Sequence, residues 1–158
     1  MAHMYKATVS WKRGPDEPFT DNKYSRGHEW AFDGGVVVPA SSSPLSVRLP
    51  YSRADAVDPE EALVAALSSC HMLTFLYLAA KQGYVVESYD DEAVGEMTKN
   101  ARGKLFLSKA TLRPRIVFSG PKQPGKAELS ELHHHAHEEC YIANSVLTEV
   151  TVAEPARE

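Results

Sequence analysis

Two side-chain types in this 158-residue chain can do covalent or coordination chemistry: two cysteines, Cys70 and Cys140, and seven histidines, four of them between positions 133 and 137. A single cysteine usually behaves as a small buried hydrophobe. A pair can do more, because one thiolate can attack an oxidant and become a sulfenic acid that the other resolves as a disulfide. Attack needs a thiolate, which burial disfavours and a nearby cation favours. Arg26 and Arg13, in the N-terminal hairpin region, are the candidate cations. The histidines offer different chemistry. On a helix, His133, His137 and Cys140 stand at i, i+4 and i+7, a one-face spacing suited to Zn²⁺ or another soft divalent ion. Such a site would occupy Cys140 and leave no resolving thiol. The plainer reading is a set of solvated histidines on a helix surface. His71 directly follows Cys70, but adjacent helical residues point about 100° apart, so its simpler role is structural. Trp30, Phe32, Phe75 and Tyr77 read as core or pocket wall.

These residues need elements to hold them. Cys70 lies inside Ala62 to Ala80, a stretch without Asp, Glu, Lys or Arg, nearly the ~20 apolar residues that cross a bilayer. Ser68, Ser69, His71 and Thr74 in its middle, and the lack of a flanking basic cluster, argue against a membrane span. A protein interior is the other environment for a helix apolar on all sides. Its ends are marked by Asp58 as N-cap, Pro59, Glu60 and Glu61 in the first turn, and Lys81-Gln82-Gly83 at the close. From Pro59 to Gln82 it would run roughly 36 Å, more than one small domain surrounds, so a homodimer is expected. A second helix, about Ala127 to Asn144, places Leu129, Leu132, Ala136, Cys140 and Ala143 on one stripe.

The remainder reads as strands: Tyr5 to Trp11, Tyr24 to Phe32, Val36 to Val38 after the Asp33-Gly34-Gly35 turn, a short strand at Leu45 to Leu49, then Val85 to Thr98, Lys104 to Phe118 and Leu147 to Val152. The order β-β-β-α-β-β-α-β is α+β, with a long buried central helix. Length predicts a single domain over 4–158, with residues 1–3 reading as an expression-tag remnant. A net charge of −4 and a pI near 6.0 exclude a partner gripped through phosphates, so nucleic acid is not expected. The N-terminus lacks the apolar region of a secretory signal, which predicts a reducing, cytoplasmic location.

Asp58-Pro59-Glu60-Glu61-Ala62-Leu63, then Ala65-Ala66-Leu67-Ser68-Ser69-Cys70, and later Cys140-Tyr141-Ile142-Ala143-Asn144-Ser145 resemble the OsmC/Ohr family over most of the chain. The resemblance implies an intertwined homodimeric α+β protein of a bacterial oxidative-stress response that reduces organic hydroperoxides with two cysteines and no cofactor. It implies Cys70 as peroxidatic thiolate, Cys140 as resolving cysteine, and Glu60 as the carboxylate orienting an activating arginine, here assigned to Arg26 with Arg13 second. It also suggests a thiol reductant such as a lipoylated protein for recycling. Glu60 and Cys70 are about 15 Å apart along one helix, so they can share an arginine only if helices of two subunits pack antiparallel. Tyr24 to Trp30 and Leu132 to His137 differ from the better-known reductases and mark a divergent branch. Beside the peroxidase reading stand a metal- or small-ligand-binding relative and a structural relative with inert cysteines.

Overall fold

The computed structural model describes residues 1–153; the last five positions of the expected domain lie outside the described residues. The elements run β1 (Ala7–Ser10), β2 (His28–Phe32), β3 (Val37–Ala40), α1 (Pro59–Lys81), β4 (Val85–Asp91), β5 (Val94–Lys99), β6 (Leu105–Leu112), β7 (Pro114–Ser119), α2 (Lys126–Glu139), a 3-10 turn (Ala143–Ser145) and β8 (Glu149–Val152). The order is α+β as expected, except that each long strand predicted between the helices is two. The chain forms two compact units, one ending at Ala62 and the other beginning at Leu63.

In the first unit β1, β2 and β3 form an antiparallel sheet. The β2–β3 turn falls at Asp33-Gly34-Gly35, where the Phe32 N–H donates to the Val36 carbonyl at 2.9 Å. β2 begins at His28 rather than Tyr24, because the preceding donors are committed elsewhere. The Ser25 N–H goes to the Glu17 carboxylate and the Arg26 N–H to the Tyr51 carbonyl at 2.8 Å. Leu45 to Leu49 is not a strand: the Ser46 and Val47 N–H groups both turn back to the Ser43 carbonyl, so no ladder donors remain there.

α1 starts and stops on the residues that the sequence marks. The Glu61 N–H donates to Asp58 Oδ1 at 2.8 Å and the Asp58 N–H to Glu61 Oε2 at 3.3 Å, a reciprocal capping box. At the other end Gly83 takes φ +81°, Tyr84 N–H reaches the Ala79 carbonyl and Gly83 N–H the Ala80 carbonyl, both at 3.0 Å. This left-handed stop satisfies carbonyls that the helix leaves open. α1 is long and apolar enough to cross a membrane by length and composition alone. Its buried stripe, Leu67, His71, Phe75 and Ala79, repeats every four residues, and Phe75 and Ala79 pack with Tyr84, Leu132 and Ala136 in the core of the second unit. The helix is therefore buried along one stripe rather than all round: Leu73 is 61% and Tyr77 65% exposed. Phe75 is core as expected, and Tyr77 is not.

β4–β5 and β6–β7 make one antiparallel hairpin, broken in the middle. Pro114 has no N–H, and the Arg113 N–H goes to the Asp91 carboxylate at 2.6 Å instead of to a ladder carbonyl. The hairpin turns on Asn100, whose Oδ1 accepts the N–H groups of Arg102 and Lys104 at 2.9 and 3.0 Å. β8 adds to β6 in parallel. At Gly95 on β5, a Cβ would come within 2.6 Å of Val64 and 2.8 Å of Leu107. α1 packs there at backbone range, so Gly95→Ala should cost about 1–3 kcal/mol through overpacking. Thermal unfolding checks this: the midpoint should drop by several degrees, and an unchanged midpoint would mean that both neighbours yield freely.

Candidate functional site

Cys70 sits half-buried on α1, one position before the buried His71. Cys140 comes from the far end of α2 and is buried, 1% exposed. The helix does not run on to Asn144 as its apolar stripe predicts; it ends at Glu139, and Cys140 is its extended C-cap, with ψ 111°. The cause is Asn144, whose side-chain amide donates to the carbonyls of Glu138 at 2.8 Å and Cys140 at 3.1 Å. These bonds satisfy carbonyls that continued helix would have used. The turn that follows aims the Ala143 N–H at the Cys140 sulfur, 3.4 Å away.

Cys70 is among the groups that act on the Cys140 sulfur. Burial pushes the Cys140 thiol up to about 11, with a side-chain hydrogen bond donated to Cys70 as the next cause, against a smaller lowering by the Ala143 N–H. Cys140 is thus held as a thiol at neutral pH, beside a cysteine that solvent reaches.

The histidines divide between a partly buried pair and a solvated pair. His71 Nε2 and His133 Nδ1 are 3.0 Å apart, with rings stacked at 13°, and Phe75 stacks on His133 with centroids 4.6 Å apart. Burial pushes both imidazoles down to about 4; His133 and then His137 add to the lowering of His71, while Asp91 opposes that of His133. His134 and His135 are exposed and pair with Glu138 and Glu131 at 3.3 and 3.2 Å, the solvated arrangement. His133, His137 and Cys140 do not form a ligand set: His133 Nδ1 faces His71, and Cys140 lies beyond the helix end against Cys70. Among the described residues no group of three or more His, Cys, Asp or Glu side chains is placed to hold a metal ion.

Arg26, Arg13 and Glu60 belong to the first unit, the sulfurs to the second. The Arg26 guanidinium lies 3.7 Å from the Tyr24 ring centroid and donates to the carbonyls of Asn22 and Tyr24; Arg13 donates to the Glu17 carbonyl. No hydrogen bond or ion pair joins Glu60 to either arginine among the described residues. His28 is held locally, its Nδ1 2.7 Å from the Arg26 carbonyl and its Nε2 accepting from Trp30 Nε1 at 3.0 Å.

The residue that sequence reasoning undervalued is His71. Its signal was present, since it shares the four-residue spacing of Leu67, Phe75 and Ala79 and so had to face the core.

The OsmC-like protein family model matches residues 52–154. The solved structure of an OsmC-like protein of unknown function from Vibrio cholerae is similar, at 56% identity and a TM-score of 0.94, covering 96% of this chain and 99% of that one. An organic hydroperoxide resistance protein OsmC from Legionella pneumophila shares the fold at 16% identity and a TM-score of 0.65, covering 97% and 100%. So does the organic hydroperoxide resistance protein OhrB of Bacillus subtilis, at 15% identity and 0.63, covering 95% and 96%. No curated protein matches the chain.

Proposed function

This chain belongs to the OsmC-like protein family, and we propose that within it the protein is a thiol-dependent peroxidase that reduces organic hydroperoxides in the cytoplasm. The observation that supports this reading is that Cys70 acts on Cys140 from a separate helix, the first cysteine only partly buried and the second buried and held as a thiol. The Cys70 thiolate attacks the distal peroxide oxygen. The O–O bond breaks, Cys70 becomes a sulfenic acid, and the alkoxide leaves with a proton as alcohol. The Cys140 sulfur then attacks Cys70: an S–S bond forms, and hydroxide departs with the Cys140 proton as water. A dithiol reductant, such as a lipoylated protein, returns both cysteines to thiols.

The reading includes a homodimer. Glu60 and Cys70 are about 15 Å apart along α1, so a partner helix packed antiparallel supplies the carboxylate, with Arg26 as the activating cation and Arg13 as the alternative. Leu73 and Tyr77, left exposed on α1, are apolar surface for that packing. Mass spectrometry after one equivalent of cumene hydroperoxide tests the chemistry. A Cys70–Cys140 disulfide is expected; two free thiols after the same treatment would mean that the cysteines are inert.

A further inference from the structure

The stacked histidines act on the sulfurs through the helices that carry them. His71 is the residue after Cys70 on α1, and His133 stands about two turns before Cys140 on α2. Their ring nitrogens meet at 3.0 Å in a place where His71 is 1% exposed. Phe75 of α1 stacks on His133 and packs against Tyr89 of β4, so the pair is walled in. The groups that act on it are His137 from α2 and Asp91 from β4. Such a bond is costly to leave half-made where His71 is the survivor, because that ring is cut off from water, whereas His133 is only partly buried. α1 and α2 are therefore held in one register next to Cys70 and about two turns before Cys140.

We infer that His71 and His133 are positioning residues: their imidazole contact sets the approach of Cys140 to Cys70 and so the ease with which the two sulfurs join. The inference holds whatever oxidant acts, so its test avoids peroxide and stands apart from the proposed function. Oxidised glutathione suffices. The Cys70 thiolate displaces one glutathione thiolate to form a mixed disulfide, and Cys140 displaces the second. The two protein thiols are oxidised, the glutathione disulfide is reduced, and both protons end on glutathione.

The full chain is equilibrated with glutathione buffers at pH 7.5, and the Cys70–Cys140 disulfide is quantified by mass spectrometry. In His71→Leu and His133→Leu the equilibrium constant for the disulfide should fall about tenfold or more, with unchanged circular dichroism. His71→Gln and His133→Asn place amide atoms near the lost ring nitrogens and should keep the constant within about threefold of the native value. Should a leucine variant not fold, His133→Phe, which retains the stack on Phe75, takes its place. Apolar variants that leave the constant unchanged would overturn the inference. So would amide variants that fall as far as the apolar ones, because the effect would then be packing alone.

Discussion

Cys70→Ser should remove hydroperoxide consumption altogether, a loss of more than about a thousandfold, whereas Cys140→Ser should complete one turnover, lose its sulfenic acid to a second equivalent and then stop. The asymmetry follows from the environments of the two sulfurs. Cys140 is buried and pushed up to about 11, which leaves roughly one molecule in ten thousand as thiolate at pH 7. Of the two cysteines it is therefore the less suited to attack peroxide. Cys70 is half-exposed, so peroxide reaches it directly. Without Cys140, the sulfenic acid on Cys70 has no internal thiol to condense with and goes on to sulfinic acid with further peroxide. A coupled peroxide assay gives the turnover, and intact mass gives the product: two added oxygens in Cys140→Ser and none in Cys70→Ser. Sustained turnover by Cys70→Ser, or by Cys140→Ser without overoxidation, would reject the assigned roles.

How much of this was legible in the sequence depends on whether the signal was local. The ends of α1 were, because a capping box and a left-handed glycine act within a few residues. So were the two hairpin turns. The division of each long strand was not: it comes from Pro114 and from Asp91 capturing the Arg113 N–H across the hairpin, a pairing that no single strand reveals. The true end of α2 was hidden for a similar reason. Its apolar stripe continues through Ala143, but the Asn144 side chain takes the Glu138 carbonyl that continued helix would have offered to Ile142, so competition for hydrogen bonds overrode periodicity. The metal alternative at His133, His137 and Cys140 finds no support in the side-chain placement, because His133 Nδ1 faces His71 and no group of three ligands forms among the described residues. Both cysteines were expected on core-facing positions, and the structure buries Cys140 but leaves Cys70 only partly buried. The partnership of His71 with His133 joins residues 62 positions apart and became visible only with the packing of α1 against α2.

The same histidine pair should make the fold acid-sensitive well above the range of ordinary carboxylates. Burial pushes His71 and His133 down to about 4, while an unfolded histidine titrates near 6.5. Between those values the unfolded chain binds the protons and the folded chain does not. Stability is therefore full above about pH 6.5 and is lost as pH falls towards 4, where the folded rings also take up protons and the loss levels off. For His71 alone the depression amounts to about 3 kcal/mol, and His133 adds to it in the same direction. Urea unfolding at pH 7.5 and 4.5 should show this as a large fall in the midpoint, with a slope near pH 5 approaching two protons. His71→Gln cannot take up a proton in this range, and it should flatten the profile even if it lowers stability at neutral pH. An equally steep profile in that variant would place the acid sensitivity elsewhere. Since the contact joins the helices that carry Cys70 and Cys140, acid should separate the sulfurs before it unfolds the chain, and disulfide formation should decline at higher pH than global stability does.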